Sequence, residues 1–263
     1  MRFALPWRLV NTPLLEAIPA RLTRPRGNAT ARSLARADWL IRQKRNGRFV
    51  AAARRGGAGW RIEPLALLSA PTTTALNDLI GRLDLRNSAA ALPFGDLPSV
   101  LRHLGIPDSY GSEHALELVA EPCELAFAGL DRFRRALWLT GPASAWWRRM
   151  QRAALAEGVI LDAISGYRSH AYQWGIFQRK IDRGQSVQQI LAVNAAPGYS
   201  EHHSGRALDI GTPGQPPAEE SFENTPAFAW LMTNADRFGF RLSYPRDNPH
   251  GIVYEPWHWC WRG

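Results

Sequence analysis

The sequence predicts an α+β protein in two parts: a small basic N-terminal module, then a C-terminal domain with a mainly antiparallel sheet and flanking helices. In the second half, short apolar segments bounded by turn residues alternate with segments of helical length and period. Their order is hairpin, helix, strand, helix, strand, helix and strands, which is typical of an α+β domain. Because the basic residues concentrate in the first quarter of the chain, we place the module in residues 1–120 and the domain in residues 121–263.

The N-terminal part begins with a Pro- and Arg-rich stretch, residues 1–30, which predicts an extended arm. A helix is expected from about Thr30, with Leu34, Ala37 and Ile41 on one face. Further along, the residue patterns predict a hairpin over 47–65 and short helices over 72–83 and 97–105.

In the C-terminal part, glycines and capping residues mark where the elements end. Gly158 predicts the end of a helix over 143–157, and Ser169 predicts the start of one that runs to Arg183. Thr225, followed by proline, predicts the start of a third helix, which runs to about Phe238. The predicted strands are 124–129 and 133–139 as a hairpin, then 159–165, 206–211, 240–245 and 251–259.

Composition narrows the class of protein. Of the 263 residues, 45% are hydrophobic and 21% are charged, which excludes a disordered chain. No apolar run approaches the roughly 18 residues of a membrane-spanning helix. Prolines interrupt the apolar stretches of residues 1–22, so we expect no secretory signal there. Cys123 and Cys260 are too few for a disulfide scaffold, and whether they pair is left open.

The net charge of +9 belongs to the N-terminal part. Residues 1–62 hold 14 of the 32 lysines and arginines, and Glu16 and Asp38 are the only acidic residues among them. Three interpretations stay open: docking to an anionic cell wall or membrane surface, binding to nucleic acid, or a solvated face without a partner. Nucleic acid is the least favoured, because no nucleic-acid motif or aromatic stacking platform is present.

Only one group of residues indicates specific chemistry. His202 lies in the loop 197–205, Asp209 follows on a predicted strand, and Glu255 and His258 lie near the C-terminus. Two histidines and a carboxylate can hold a catalytic zinc ion with a fourth position open, and a further carboxylate can act as a base. Pro256 favours a bend that would point Glu255 and His258 into one site. His203, which directly follows His202, is the alternative ligand.

These residues form a pattern, S-x-H-x-x-G-x-A-x-D over 200–209 and E-P-W-H over 255–258. The pattern resembles that of the zinc D-alanyl-D-alanine carboxypeptidases of the VanY type, peptidase family M15. The resemblance also takes in the segment 165–169 and extends over about residues 125–263. It implies that His202, Asp209 and His258 bind one zinc ion.

The resemblance also implies roles beyond the metal. Glu255 would be the catalytic base, and Arg168 would stabilise the polarised carbonyl or bind the substrate carboxylate. Gln173 and Ser200 would line the substrate site. The implied reaction is the removal of the terminal D-Ala from peptidoglycan stem peptides. The resemblance implies a location in the cell envelope or periplasm, whereas the lack of a visible signal peptide favours the cytoplasm on sequence alone. A peptidoglycan endopeptidase, a D,D-dipeptidase and a non-enzymatic wall-binding protein are the alternatives.

Overall fold

The computed structural model describes residues 7–24, 27–85 and 90–263, and in these ranges the chain forms two antiparallel sheets with helices packed around them. The mixed α and β composition and the antiparallel sheet of the C-terminal half confirm the predicted fold class. Within the described residues, no helix combines the length and apolarity that a bilayer crossing requires.

The larger sheet has seven strands in the order β5-β4-β3-β2-β1-β6-β7. The helices of this part of the chain are α1 (Asn28–Arg36), α2 (Ala70–Arg82), α3 (Leu97–His103) and α4 (Tyr110–Glu113). The strands are β1 (Arg8–Asn11), β2 (Leu15–Pro19), β3 (Trp39–Gln43), β4 (Phe49–Gly56), β5 (Gly59–Pro64), β6 (Glu124–Leu130) and β7 (Ala136–Leu139).

The predicted extended arm is wrong for residues 8–19, which form the central hairpin β1–β2 of this sheet. Every residue of both strands is buried, and a segment with so much apolar surface is far more stable inside a sheet than in water. Pro13 lies in the turn and Pro19 ends β2, so neither interrupts the pairing. Residues 1–6 and 25–26 of the predicted arm lie outside the described residues.

The first predicted helix is also too long. Helix α1 ends at Arg36, and Ile41, expected on its apolar face, is a fully buried residue of strand β3. Trp39, Leu40 and Ile41 form a continuous apolar run, and such a run fits a strand buried on both faces. The hairpin over 47–65 and the helices over 72–83 and 97–105 correspond to β4–β5, α2 and α3.

The smaller sheet has four strands in the order β10-β11-β9-β8. It packs with α5 and α8 around a core that includes Trp147, Trp230 and Trp259. Its strands are β8 (Asp162–Ser165), β9 (Ala207–Gly211), β10 (Phe240–Leu242) and β11 (His258–Trp261). The helices of this half are α5 (Gly141–Ala156), α6 (His170–Ile181), α7 (Val187–Leu191) and α8 (Pro226–Asn234), with a 3₁₀ helix at Glu201–Ser204.

The two halves share structure across residue 120. Strand β1 pairs with β6, so the seven-stranded sheet runs through the proposed boundary. Tyr110 packs in one apolar cluster with Phe177, Tyr199 and Tyr244, and its hydroxyl accepts a hydrogen bond from the Ala196 amide at 3.3 Å. The division at residue 120 stays a prediction, but residues on its two sides are packed together.

Candidate metal centre and catalytic site

Three predicted ligands meet in one buried cluster. His202, Asp209 and His258 each offer one ligand atom, and these atoms lie within 4.8 Å of one another. Asp209 on β9 is the direct cross-strand partner of His258 on β11 and of Ser165 on β8. Directly opposed residues of antiparallel strands point to the same face, so pairing of β8, β9 and β11 puts these three side chains in one row. His202 reaches the row from the 3₁₀ helix that precedes β9.

In each ligand, the polar atom that faces away from the cluster (the outer atom) forms a hydrogen bond with another protein group. His202 Nδ1 donates to the Gly166 carbonyl at 2.8 Å, and His258 Nε2 donates to Glu201 at 2.9 Å. The other oxygen of Asp209 accepts from the Ser165 hydroxyl. The inner atoms are left close together, because Asp209 Oδ1 lies 3.3 Å from His202 Nε2 and 3.2 Å from His258 Nδ1. Such outer contacts orient metal ligands and set the histidine tautomer.

The three ligand side chains strongly influence one another's pKa values. Burial alone would raise the pKa of Asp209, but His202 and His258 hold it well below the usual carboxyl range. Burial lowers the pKa of His202 in spite of Asp209. Burial also disfavours the charged form of His258, but hydrogen bonds to Asp209 and Glu201 raise its pKa to about 10.

Gly205 connects the 3₁₀ helix of His202 to the strand of Asp209. Its φ of +65° is left-handed, and a Cβ there would lie 2.4 Å from Leu125 Cδ2. Glycine is the residue that adopts this conformation without strain and without the clash. The turn thus sets the approach of His202 to the row of side chains on the sheet.

Glu255 lies beside the cluster without belonging to it. Its Oε2 atom is 3.8 Å from His258 Nδ1, and residues 255–258 form a turn closed by a 3.0 Å hydrogen bond from the His258 amide to the Glu255 carbonyl. The predicted strand over 251–259 is therefore wrong in extent, because β11 begins only at His258. The bend expected at Pro256 is present. Burial raises the pKa of Glu255 to about 7, although His258 opposes the shift.

Arg168 is brought to the same region by the loop between β8 and α6. Its backbone amide donates to the His202 carbonyl at 3.1 Å, and its positive charge lowers the pKa of Glu255 against the effect of burial. Its guanidinium donates to Gln173 Oε1 at 3.0 Å. Gln173 is only 1% exposed, and its side-chain nitrogen Nε2 donates to the Ala195 carbonyl at 2.9 Å. Gln173 therefore fixes the position of the Arg168 guanidinium. The predicted contact of Gln173 with substrate stays a prediction.

The donor set fits a catalytic zinc site. Two imidazole nitrogens and one carboxylate oxygen are the three protein ligands that such sites use, and they leave a fourth position for water or substrate. Each ligand also has the outer hydrogen-bond partner that zinc sites provide. Glu255 adds a carboxylate within reach of the cluster.

Comparisons with known proteins find a family model, curated relatives and solved structures that are similar to part of this chain. A family model described as VanY: D-alanyl-D-alanine carboxypeptidase matches residues 137–263. Putative carboxypeptidase YodJ of Bacillus subtilis (strain 168) is 38% identical over 115 residues, 42% of this chain and 41% of that protein. The bifunctional D-Ala-D-Ala dipeptidase and D-Ala-D-Ala carboxypeptidase VanXYC of Enterococcus gallinarum is 29% identical over 155 residues, 57% of this chain and 80% of that protein. A solved structure of VanYB in complex with D-alanine-D-alanine is 31% identical, with 48% of this chain and 73% of that one covered and a TM-score of 0.42.

Residues 137–263 form a VanY-family domain. The family match covers the C-terminal half, and the chain spans less than half the length of YodJ. All the ligand and catalytic residues predicted for the VanY-type site lie within the matched residues.

Sequence reasoning missed Glu201, which occupies a variable position of the VanY motif. One oxygen of its carboxylate accepts from His258 Nε2, and the other accepts from Arg262. Burial would raise the pKa of Glu201, but the hydrogen bond and positive charge of His258, together with the charge of Arg262, hold it well below its usual range. The only available signal was that Glu201 lies between two residues of the motif.

Two other predicted residues occupy less central places. Ser200 is buried next to the 3₁₀ helix, and among the described residues its hydroxyl has no hydrogen-bond partner; its substrate contact stays a prediction. His203 is outside the cluster, because its Nδ1 donates to the Arg168 carbonyl at 2.6 Å and its Nε2 accepts from the Gly198 amide at 3.1 Å. Cys123 and Cys260 are separate, buried free thiols.

Proposed function

We propose that the chain is a zinc-dependent carboxypeptidase that hydrolyses the terminal D-Ala-D-Ala bond of peptidoglycan stem peptides. The observation that carries the proposal is the position of Glu255, 3.8 Å from His258 but outside the ligand set. A carboxylate that lies beside the metal ligands without being one of them can accept and return a proton, which a purely structural metal site does not require. This argues against a non-enzymatic wall-binding protein.

The metal and the protein side chains would supply different parts of the chemistry. When bound by His202, Asp209 and His258, zinc supplies Lewis acidity, which polarises a peptide carbonyl and makes a water molecule acidic near neutral pH. Glu255 takes a proton from the attacking water as the water oxygen bonds to the scissile carbonyl carbon. The same carboxyl group then gives this proton to the leaving nitrogen as the C–N bond breaks. The products are a shortened peptide with a new carboxylate and free D-Ala.

Arg168 supplies the positive charge on the substrate side. Its guanidinium is kept in place by Gln173, so it can donate to the carbonyl oxygen where negative charge develops or to the terminal carboxylate. The second role would favour substrates with a free C-terminus. The names of the family model and of VanYB's ligand support D-Ala-D-Ala as the substrate class.

Product analysis tests this function. The full chain, loaded with one equivalent of zinc, is incubated with a stem pentapeptide that ends in D-Ala-D-Ala, and the products are identified by mass spectrometry. The proposal expects free D-Ala and a tetrapeptide. Cleavage of free D-Ala-D-Ala alone would identify a dipeptidase, an activity that the name of VanXYC includes. Cleavage of cross-linked peptides alone would identify an endopeptidase.

A surface for anionic polymers is a second proposal, and it concerns residues 1–62. Arg36, Arg54 and Arg61 line a cleft of about 170 Å³ with Glu63, and none of the three arginines forms an ion pair within the described part of the chain. Arg54 and Arg61 are direct cross-strand partners, and two like charges in this position repel each other. A bound phosphate or carboxylate would relieve the repulsion. We therefore favour docking to an anionic cell-wall polymer.

Co-sedimentation with purified cell walls tests the docking surface. Binding that falls with added salt and is lost in the triple variant Arg36→Ser, Arg54→Ser and Arg61→Ser supports it. Equal binding by the triple variant contradicts it, and binding to anionic lipid vesicles but not to walls would assign the surface to a membrane. Because the proposed substrate belongs to the cell wall, we also propose the cell envelope as the location. Fractionation of cells tests that proposal.

A further inference from the structure

A buried polar cluster joins the N-terminal sheet to the loop that carries Arg168. Its central residues are Lys44, in the turn after β3, and Glu121, just before β6. The side chain of Lys44 is fully buried and that of Glu121 is 4% exposed. Charged residues are almost never buried without a partner, so this pair calls for a specific explanation.

Glu121 is fully engaged by groups from both halves of the chain. One of its oxygens accepts from Lys44 Nζ and from the Tyr167 hydroxyl. The other accepts from the His170 backbone amide at 3.0 Å. Lys44 Nζ also donates to the Thr12 carbonyl at 2.8 Å, in the turn between β1 and β2. The carboxylate thus connects the central hairpin of the large sheet to the start of α6.

The two contacts of Glu121 flank Arg168 in the chain. Tyr167 precedes Arg168, and His170 is the first residue of helix α6, whose N-terminal amides attract a negative charge. Glu121 therefore holds the side chain of Tyr167 before the arginine and the backbone amide of His170 after it. Gln173, which accepts the hydrogen bond from the Arg168 guanidinium, lies one turn into the same helix.

A second contact from the N-terminal sheet holds the same helix. The guanidinium of Arg45, next to Lys44, lies 3.9 Å from the ring centroid of Trp174. The Arg45 carbonyl would be only 3.0 Å from a Cβ at position 175, so Gly175 allows this close packing. The turn 44–45 is thus linked to the start of α6 through Glu121 and contacts the helix directly one turn later.

Two of the three zinc ligands depend on other elements. Asp209 and His258 are set by the pairing of β9 with β11, and His258 is oriented by Glu201. In the described part of the chain, none of these three residues forms a hydrogen bond or an ion pair with Lys44 or Glu121. The third ligand, His202, adjoins the Arg168 segment, because its carbonyl accepts from the Arg168 amide at 3.1 Å. A change in the buried pair should therefore act mainly on Arg168 and only to a smaller extent on the metal, through His202.

We propose that Glu121, with Lys44 as its counter-ion, is a positioning residue that holds Arg168 and helix α6 for substrate binding. The N-terminal sheet is then a working part of the catalytic site and not an independent module. This inference rests on the proposed function in one respect, the role of Arg168 toward substrate. The role of Glu121 in ordering residues 167–173 is separate from that function.

The test compares Glu121→Leu with Glu124→Leu in the full chain. Glu124 forms an ion pair with Arg8 in the same sheet, with side chains 15% and 6% exposed, so its loss is a matched structural perturbation. At saturating zinc, we expect Glu121→Leu to lower kcat/KM on the stem pentapeptide at least tenfold, with a smaller loss of zinc affinity, below fivefold. Amide hydrogen exchange over residues 168–173 should become at least tenfold faster. Glu124→Leu should change neither quantity more than twofold.

A double variant separates geometry from charge. Lys44→Met with Glu121→Gln removes both charges and keeps an acceptor oxygen for the His170 amide, so kcat/KM should stay within threefold of wild type. If Glu121→Leu does not fold, Tyr167→Phe replaces it: this variant keeps the ion pair and should lower kcat/KM about threefold to tenfold. Equal kcat/KM and equal exchange in the Glu121 and Glu124 variants would overturn the inference. If wild type cleaves no D-Ala-D-Ala peptide, the proposed function fails, whereas the exchange comparison still decides the role of Glu121.

Discussion

Glu201 offers a sharp test of how the metal centre is held. The change is Glu201→Gln, which keeps the size of the side chain and removes its charge. In the present structure the carboxylate accepts from His258 Nε2 at 2.9 Å, and Arg262 binds its other oxygen. The side chain is 16% exposed, so water screens this contact only in part. We expect the variant to fold and to bind zinc more weakly.

The magnitude follows from the contact that is changed. A carboxylate that accepts from the outer nitrogen of a histidine fixes which nitrogen faces the metal and makes that nitrogen more basic. Loss of such a partner typically costs 10- to 100-fold in metal affinity, or about 1.4–2.7 kcal/mol. The amide oxygen of the substituted side chain could still accept from His258, which places the expected loss toward the tenfold end.

The assay is competition for zinc between the apo-protein and a chromophoric chelator at fixed pH and salt. Asp236→Asn is the matched control, because Asp236 forms an exposed ion pair with Arg241, and such pairs contribute little. The control should bind zinc within twofold of wild type. An equal zinc affinity for Glu201→Gln and Asp236→Asn would refute the assignment of Glu201 as the group that orients His258.

Three further predictions concern the turn, the ligands and the thiols. Gly205→Ala should lower the free energy of unfolding by about 2–4 kcal/mol in a urea titration, since the new Cβ meets Leu125 and the left-handed φ becomes strained; a loss below about 0.5 kcal/mol would contradict this. Zinc binding at pH 7 should release about one proton, because the pKa of His258 is about 10 in the metal-free chain and the ligand nitrogen must lose its proton; calorimetry in buffers of different ionisation enthalpy would show the predicted release or its absence. Cys123 and Cys260 should react with a thiol reagent only after unfolding, and rapid labelling of either in the native chain would contradict their burial.

The core of the site could be predicted from sequence because its residues lie at strand ends and in one motif. His202 and Asp209 are separated by one turn, and strand pairing brings His258 opposite Asp209. The bend at Pro256 brings Glu255 beside them, whereas a straight strand would place Glu255 and His258 on opposite faces. The residue types and spacings within these short segments therefore predict this part of the structure.

Other features depend on pairings between distant segments, which local patterns do not encode. The prolines near β1 and β2 predict an extended arm. The two strands are buried instead, because β1 pairs with β6 more than 100 residues later. A lysine in a turn predicts a solvent-exposed side chain. Lys44 is buried because its ammonium group pairs with Glu121, which lies 77 positions away in the sequence. Glu201 has no signal of its own, because a glutamate beside a ligand histidine is equally compatible with an exposed loop.

The most direct test of the catalytic proposal compares zinc content and turnover in Glu255→Ala and His258→Ala on the stem pentapeptide. A carboxylate that moves the proton, but does not bind the metal, predicts that Glu255→Ala retains one zinc per chain and loses about 10²- to 10⁴-fold in kcat. His258→Ala should lose both zinc and turnover, because it removes one of three ligands. Full turnover by Glu255→Ala, with zinc bound, would contradict the account.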